Sequence, residues 1–179
     1  MSRGKEITES DKSVDKYIYL ADRPELIPIL ADWFYDEWGR LDPNNSWEKI
    51  RSVLGEHLNR ERVPLTIVLL RDSQPIASAS LKIREMETHP QYLHWLGGVY
   101  VHPEYRQQGI GARLVEFAAN EAERLTVNEL YLYTRSHQHF YARLGWQVIE
   151  RPMYGDRIVI VMKRILSKKG KDITDDNQE

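Results

Sequence analysis

The stretch Val99-Tyr100-Val101-His102-Pro103-Glu104-Tyr105-Arg106-Gln107-Gln108-Gly109-Ile110-Gly111-Ala112-Arg113-Leu114 reads as the end of a strand, a turn and the start of a helix. A helix that begins near Gly109 turns its unpaired N–H groups and the positive end of its dipole toward the turn. Glycines at 109 and 111 let an anion such as a pyrophosphate approach that backbone with no Cβ in the path, and Arg106 and Arg113 add charge. The same two glycines also fit a plainer reading, a tight turn with close helix packing. Two nucleotide motifs are excluded. A dinucleotide fingerprint needs a third glycine where Leu114 stands, and a Walker loop needs Gly-Lys-Ser/Thr, which follows neither glycine. An anion held here is held in another way.

Upstream, Leu93 to Val101 reads as a strand interrupted by Gly97-Gly98, a pair that predicts a bulge or a close backbone approach. Two more strands precede it, Pro64 to Leu70 and Ile76 to Arg84, joined by the turn-forming Arg71-Asp72-Ser73-Gln74-Pro75. The second places Ala77, Ala79 and Leu81 on one side and Ser78, Ser80 and Lys82 on the other. The chain opens with a short strand, Tyr17 to Leu20. A helix then runs from Glu25 to about Glu37, introduced by Asp22 and Pro24. Ile27, Leu30, Phe34 and Trp38 recur at helical spacing and predict its core side, and Gly39 and Pro43 end it. Ser46 caps a second helix that reaches about Asn59. Downstream lie a long helix from Gly109 to Leu125, a strand Leu130 to Tyr133, a short helix Gln138 to Leu144, and strands Trp146 to Glu150 and Ile158 to Lys163. The order is β-α-α-β-β-β-α-β-α-β-β. It defines a mixed α/β fold with antiparallel strands first and one crossover helix in the second half.

Composition sets the class. The 179 residues suit a single domain, with 41% hydrophobic and 29% charged residues as in a globular chain. A formal net charge of −2 argues against nucleic acid as the main partner. The basic cluster Lys163, Arg164, Lys168, Lys169 and Lys171 is followed by Asp172, Asp175, Asp176 and Glu179 and reads as a solvated tail. There is no cysteine, so disulfides and thiolate chemistry are excluded. No apolar run reaches the roughly 20 residues of a membrane span, and Met1 to Lys16 has no signal-peptide core, so a cytoplasmic location without membrane partner is the expectation. Residues 1–14 and 167–179 are expected to be flexible tails around a domain at 15–166. His137 and His139 have no third partner in the sequence pattern, and no metal site is expected.

The turn resembles motif A of the GNAT acetyltransferase superfamily, Arg/Gln-x-x-Gly-x-Gly/Ala after a strand ending in Val-x-Pro. Arg106, Gly109 and Gly111 occupy the pattern, and Val101-His102-Pro103 precedes it. A second element, Phe140-Tyr141-Ala142-Arg143-Leu144-Gly145-Trp146, resembles the family's Phe/Leu-Tyr-x-x-x-Gly-Phe/Trp segment. The resemblance covers about residues 15–166. It implies a GNAT-type mixed, mostly antiparallel sheet with a splayed central strand and helices on both faces. It also implies an N-acetyltransferase that uses acetyl-coenzyme A, as a monomer or homodimer.

Particular residues inherit expectations from the resemblance. Backbone groups of Val99, Tyr100 and Val101 would pair with the pantetheine arm, and those of Gln107, Gln108, Gly109, Ile110, Gly111 and Ala112 would hold the pyrophosphate. Arg106 and Phe140 belong to the same coenzyme set. Tyr141 matches the tyrosine near the coenzyme sulfur, where its phenol would serve the departing thiolate. The general base is not given by the pattern. Some members carry a glutamate about eleven residues before the motif arginine, and here that place is Trp95. His94 is a candidate by its titration range, with Glu85, Glu87 and Tyr100 as others, and a water chain with no single base stands beside them as an equal alternative. His94 and Trp95 face opposite sides of their strand. A chain lacking the carboxylate fits a second role too, a sensor that holds acetyl-coenzyme A without turnover. In the resemblance the loop after the first helix borders the acceptor. Trp33, Tyr35 and Glu37, with Tyr154 from the Arg151-to-Asp156 connection, would line a site for an amine.

Overall fold

A computed structural model describes residues 14–166; the expected tails lie outside those residues apart from Val14. The elements follow the anticipated order. They are β1 (Asp15–Tyr19), α1 (Ile27–Glu37), α2 (Trp47–Glu56), β2 (Leu65–Arg71), β3 (Gln74–Ile83), β4 (His94–Val101), α3 (Ile110–Arg124), β5 (Glu129–Thr134), α4 (Gln138–Ala142), β6 (Gln147–Glu150), β7 (Met153–Tyr154), β8 (Arg157–Ile158) and β9 (Ile160–Ile165). Seven strands form one sheet in the order β1-β2-β3-β4-β5-β9-β6. All its pairings are antiparallel except β4 with β5. The small hairpin β7–β8, absent from the sequence reading, stands apart as a second sheet.

Helices cover both faces. Beneath α3 lie Leu65, Ile67 and Leu69 of β2, Ala77, Ala79 and Leu81 of β3, Leu96 of β4 and Leu130 and Leu132 of β5. Helix α3 meets them with Ile110, Leu114, Val115, Ala118 and Ala122, spaced for one helical side. On the opposite face α1 and α2 place Leu30, Ala31, Phe34 and Leu54 over Val68, Leu70 and Tyr100. A third cluster on that face joins Trp95, Tyr131, Met86, Val159 and Val161.

Two details at the ends of α1 differ from the sequence reading. Leu20–Asp22 and Pro24–Leu26 are single 3-10 turns, and the α-helix proper starts at Ile27. At the other end the helix stops at Glu37. Trp38, expected in the core, sits outside helical geometry at φ −130° and ψ −36° and is 40% exposed. The helical spacing that placed it inside no longer applies once the helix has ended.

Strand β4 carries the irregularity that Gly97-Gly98 announces. Trp95 pairs with Lys82, Gly97 with Ser80, and Tyr100 with Ser78, so one extra residue lies between the last two pairs. Gly98 adopts φ +56°, a conformation that suits glycine, and a Cβ there would stand 3.2 Å from the Phe34 ring. The extra residue resets the alternation. Trp95 and Tyr100, five positions apart, therefore both face away from α3.

Candidate active site

Three features meet at the end of β4. The first is a splay. Strands β4 and β5 share a single register pair, Trp95 with Tyr131. Beyond it, the edge of β4 that faces β5 has no ladder among the described residues, although the other edge stays paired to β3. An extended ligand arm fits such an edge, because unpaired strand groups seek partners.

The second feature is the turn. After β4 a 3-10 turn over Pro103–Tyr105 leads to Arg106, and Gly109 caps α3 in the left-handed conformation, φ +73°. Gln107 also has positive φ, +62°. In consequence the backbone N–H groups of Gln107, Gln108, Gly109, Ile110, Gly111 and Ala112 find no acceptor among the described residues. Arg113 is the first to bond back, to the Gly109 carbonyl at 3.2 Å. A run of free donors at a helix N-terminus forms an anion cradle. Among the described residues no atom beyond the local helix stands within 4 Å of a Cβ placed on Gly109, so the cradle opens outward. Gly111 has a different task. Its missing Cβ would lie 3.5 Å from Phe140, so α4 packs directly on the first turn of α3.

The arginines are committed elsewhere. Arg106 donates from Nε to the Val101 carbonyl at 2.8 Å and from Nη2 to Glu37 at 3.2 Å, and its guanidinium lies 5.6 Å from the Tyr100 ring centroid. It fastens the turn to the end of α1. Arg113 leans toward Asp15, which Arg71 grips with two hydrogen bonds. Arg71 also donates to the Gln108 side chain at 3.2 Å and lies over Tyr105. Arg71, read in the sequence only as part of the turn between two strands, thus helps hold the Arg106–Gly111 turn from below.

The third feature is Tyr141. It lies on α4, on the α3 face, half-buried against Phe140 and Trp146. Its hydroxyl has no hydrogen-bond partner among the described residues, and withdrawal from water pushes its pKa up to about 12. The phenol therefore keeps its proton across neutral pH, as a proton donor must. Position 95 is settled as well. Trp95 is fully buried, and its indole N–H donates to the Tyr92 carbonyl at 2.8 Å. His94 opens β4, where it pairs with Ile83, and it shares the α3 face with Leu96. Burial lowers its pKa. Four strand steps put it roughly 13 Å from the bulge, so the structure does not bring it to Tyr141 or to the turn.

Across the sheet from α3, two aromatic groups flank the bulge. Trp33 stacks on Tyr100 at 5.0 Å, and Trp38 meets the same ring edge-on at 6.2 Å. Tyr154 meets Tyr133 edge-on at 5.5 Å. The carboxylates Glu85 and Asp42 act on both tyrosines: with burial as the first cause, their fields raise the two phenol pKa values, and Glu87 adds to Tyr154. Lys82 reaches across the gap left by Gly97, where a Cβ would touch its Cε at 3.2 Å, and pairs with Glu85 at 2.7 Å. Two expected acceptor residues are placed differently. Glu37 is engaged by Arg106, and Tyr35 packs on Gly39 beneath Arg40. Among the described residues no cluster of metal-ligating side chains occurs, and no helix is long and apolar enough to cross a membrane.

Comparison with known proteins assigns this arrangement. Residues 64–148, which run from β2 through the turn and Tyr141 to β6, match the family described as the acetyltransferase (GNAT) domain. The fold is shared with solved structures of low sequence identity. An aminoglycoside 6'-N-acetyltransferase complexed with coenzyme A superposes with TM-score 0.67 at 16% identity, over 86% of this chain and 97% of that one. An acyl-CoA N-acyltransferase from Pseudomonas aeruginosa gives 0.60 at 22% identity, over 86% and 99%. An aminoglycoside 6'-acetyltransferase type Ii gives 0.64 at 18%, over 86% and 97%. The chain thus carries a GNAT acetyltransferase domain at residues 64–148. It is an N-acetyltransferase, and acetyl-coenzyme A is its co-substrate.

Proposed function

We propose that the chain moves the acetyl group of acetyl-coenzyme A to a primary amine of a small molecule or peptide. The observation that carries the amine is the Tyr133–Tyr154 ring pair on the face opposite α3, on which the fields of Glu85 and Asp42 act, with that of Glu87 at Tyr154. Carboxylates beside aromatic faces attract an ammonium group and hold it near the bulge. On the donor side, the free N–H groups of Gln107 to Ala112 would take the pyrophosphate, and backbone groups of Val99 to Val101 would take the pantetheine arm. Tyr141 would give its phenolic proton to the departing thiolate, a role supported by its unpartnered hydroxyl and raised pKa.

Thiol release from acetyl-coenzyme A, measured across aminoglycoside, polyamine, amino-acid and peptide amines, tests the reading. Saturable release with a cationic amine is the expected result. Coenzyme binding without release for any amine would replace this reading with that of a non-catalytic sensor, for which the buried Trp95 in the place of a carboxylate is the specific support.

A further inference from the structure

Under the β4 bulge, on the α1–α2 face, runs a row of buried polar side chains to which the donor side gives no task. His57, which closes α2, is 4% exposed, and Thr66 of β2 and Ser80 of β3 are fully buried. His57 Nδ1 lies 2.9 Å from Thr66 Oγ1, and Thr66 Oγ1 lies 2.8 Å from Ser80 Oγ. Ser80 pairs with Gly97, and its Oγ is 3.3 Å from the place a Cβ on Gly98 would take. Next on the same side of β3, Ser78 is opposite Tyr100, and its buried hydroxyl has no partner among the described residues. The row thus extends from the carboxyl end of α2 to the bulge.

Polar groups buried in line cost stability that an apolar residue of similar size avoids. A buried hydroxyl left without a partner calls for a water or a ligand atom to satisfy it. At the other end, His57 Nε2 has no protein partner among the described residues. Burial, then the field of Lys82, pushes the His57 pKa down to about 4, so its ring is neutral at neutral pH. Lys82, itself paired with Glu85, is the charged group that acts on it. A neutral imidazole accepts at one nitrogen while it donates from the other, and a hydroxyl does the same at one oxygen.

We propose that His57, Thr66 and Ser80 carry away the proton released when the acceptor amine attacks the acetyl carbon. The proposal rests on the amine reading above. The amine nitrogen forms its bond to the acetyl carbon and loses one proton, by way of a water held at the Ser78 hydroxyl. Ser80 Oγ takes that proton and passes its own to Thr66. Thr66 passes its own to His57 Nδ1, and His57 releases the Nε2 proton to solvent. One proton has crossed, no member of the row keeps a charge, and each has reversed its donor direction. The route supplies what a carboxylate at position 95 supplies elsewhere.

Thr66→Val keeps the side-chain shape and cuts the row, and His57→Gln removes its exit. In each variant kcat should fall about tenfold or more with acetyl-coenzyme A affinity unchanged, and part of the loss should return as a small proton-carrying buffer such as imidazole is raised. Wild-type kcat in both variants, or a loss that no buffer concentration recovers, overturns the proposal. An independent readout on the wild-type protein guards against variants that fail to fold and against a failure of the amine reading. Nitrogen-15 NMR of the His57 ring at pH 7 should show the neutral tautomer protonated at Nε2, with Nδ1 accepting from Thr66. A ring protonated at Nδ1 overturns the proposal even if thiol release proceeds. Absence of thiol release with every amine counts against the acceptor reading alone.

Discussion

The two sides of the β4 bulge are built from different material. On the α3 side the site is backbone: free N–H groups of Gln107 to Ala112 and a strand edge without a ladder toward β5. On the α1 side it is side chains: Trp33, Trp38 and Tyr100 to one hand, and Lys82, Glu85, Tyr133 and Tyr154 to the other. Backbone cannot be altered without altering the fold, whereas side chains can be exchanged one at a time. In the proposed reading, the half that takes the donor is therefore set by the fold and the half that takes the acceptor by individual side chains.

Substitutions can test that division. The largest effect should come from Trp95→Ala. If Trp95 is core rather than site, removing a fully buried indole costs about 3–5 kcal/mol of stability. Chemical denaturation measures this, and a variant as stable as wild type would return position 95 to the acceptor side. Gly109→Val comes next. A β-branched residue at φ +73° costs roughly 1–2 kcal/mol or displaces the donors of the cradle. Acetyl-coenzyme A should bind about tenfold more weakly by calorimetry, and unchanged affinity would mean that the turn is only a turn. Tyr141→Phe should lower kcat by about tenfold and leave coenzyme binding intact. Because the phenol holds its proton up to about pH 12, loss of that proton should not limit the wild-type rate between pH 7 and 10. A rate that falls in that range together with phenolate absorbance would remove Tyr141 from proton donation. Glu37→Gln should do least. The Arg106 pair is half-exposed, so stability should change by less than about 1 kcal/mol, and the KM for the amine should stay within about twofold. A larger rise in KM would restore Glu37 to the acceptor pocket.

The same division decides what could be read in advance. The turn is a local object: glycines at 109 and 111 and the strand before them are contiguous, so the sequence displays their geometry directly. The bulge at Gly97-Gly98 is legible for the same reason. The proposed acceptor side draws on Asp42, Glu85, Tyr133 and Tyr154, which belong to four separate segments, and no spacing rule links them. The polar side of β3 misleads in a different way. Ser78 and Ser80 alternate with apolar residues as on a solvent-facing strand, yet α1 and α2 cover them completely. The one clue was their neighbour Lys82, whose length demanded somewhere to go and whose path across Gly97 appears only in three dimensions. The basic residues near the end divide likewise. Lys163 and Arg164 are engaged by Glu129 and Glu116, and the others lie outside the described residues.

The single register pair between β4 and β5 has a mechanical meaning. One rung, Trp95 with Tyr131, joins strands β1 to β4 to the group β5, β9 and β6, so the sheet is close to being two sheets side by side. A ligand arm laid against the open edge acts as a missing strand. Filled, the two halves would share a ladder as well as the core under α3; empty, they share that core and one rung. Scanning calorimetry should then show a sharper as well as a higher transition when acetyl-coenzyme A is bound. In the proposed reading, the slot that receives the donor is also a second bridge between the two halves of the sheet, beside the core under α3.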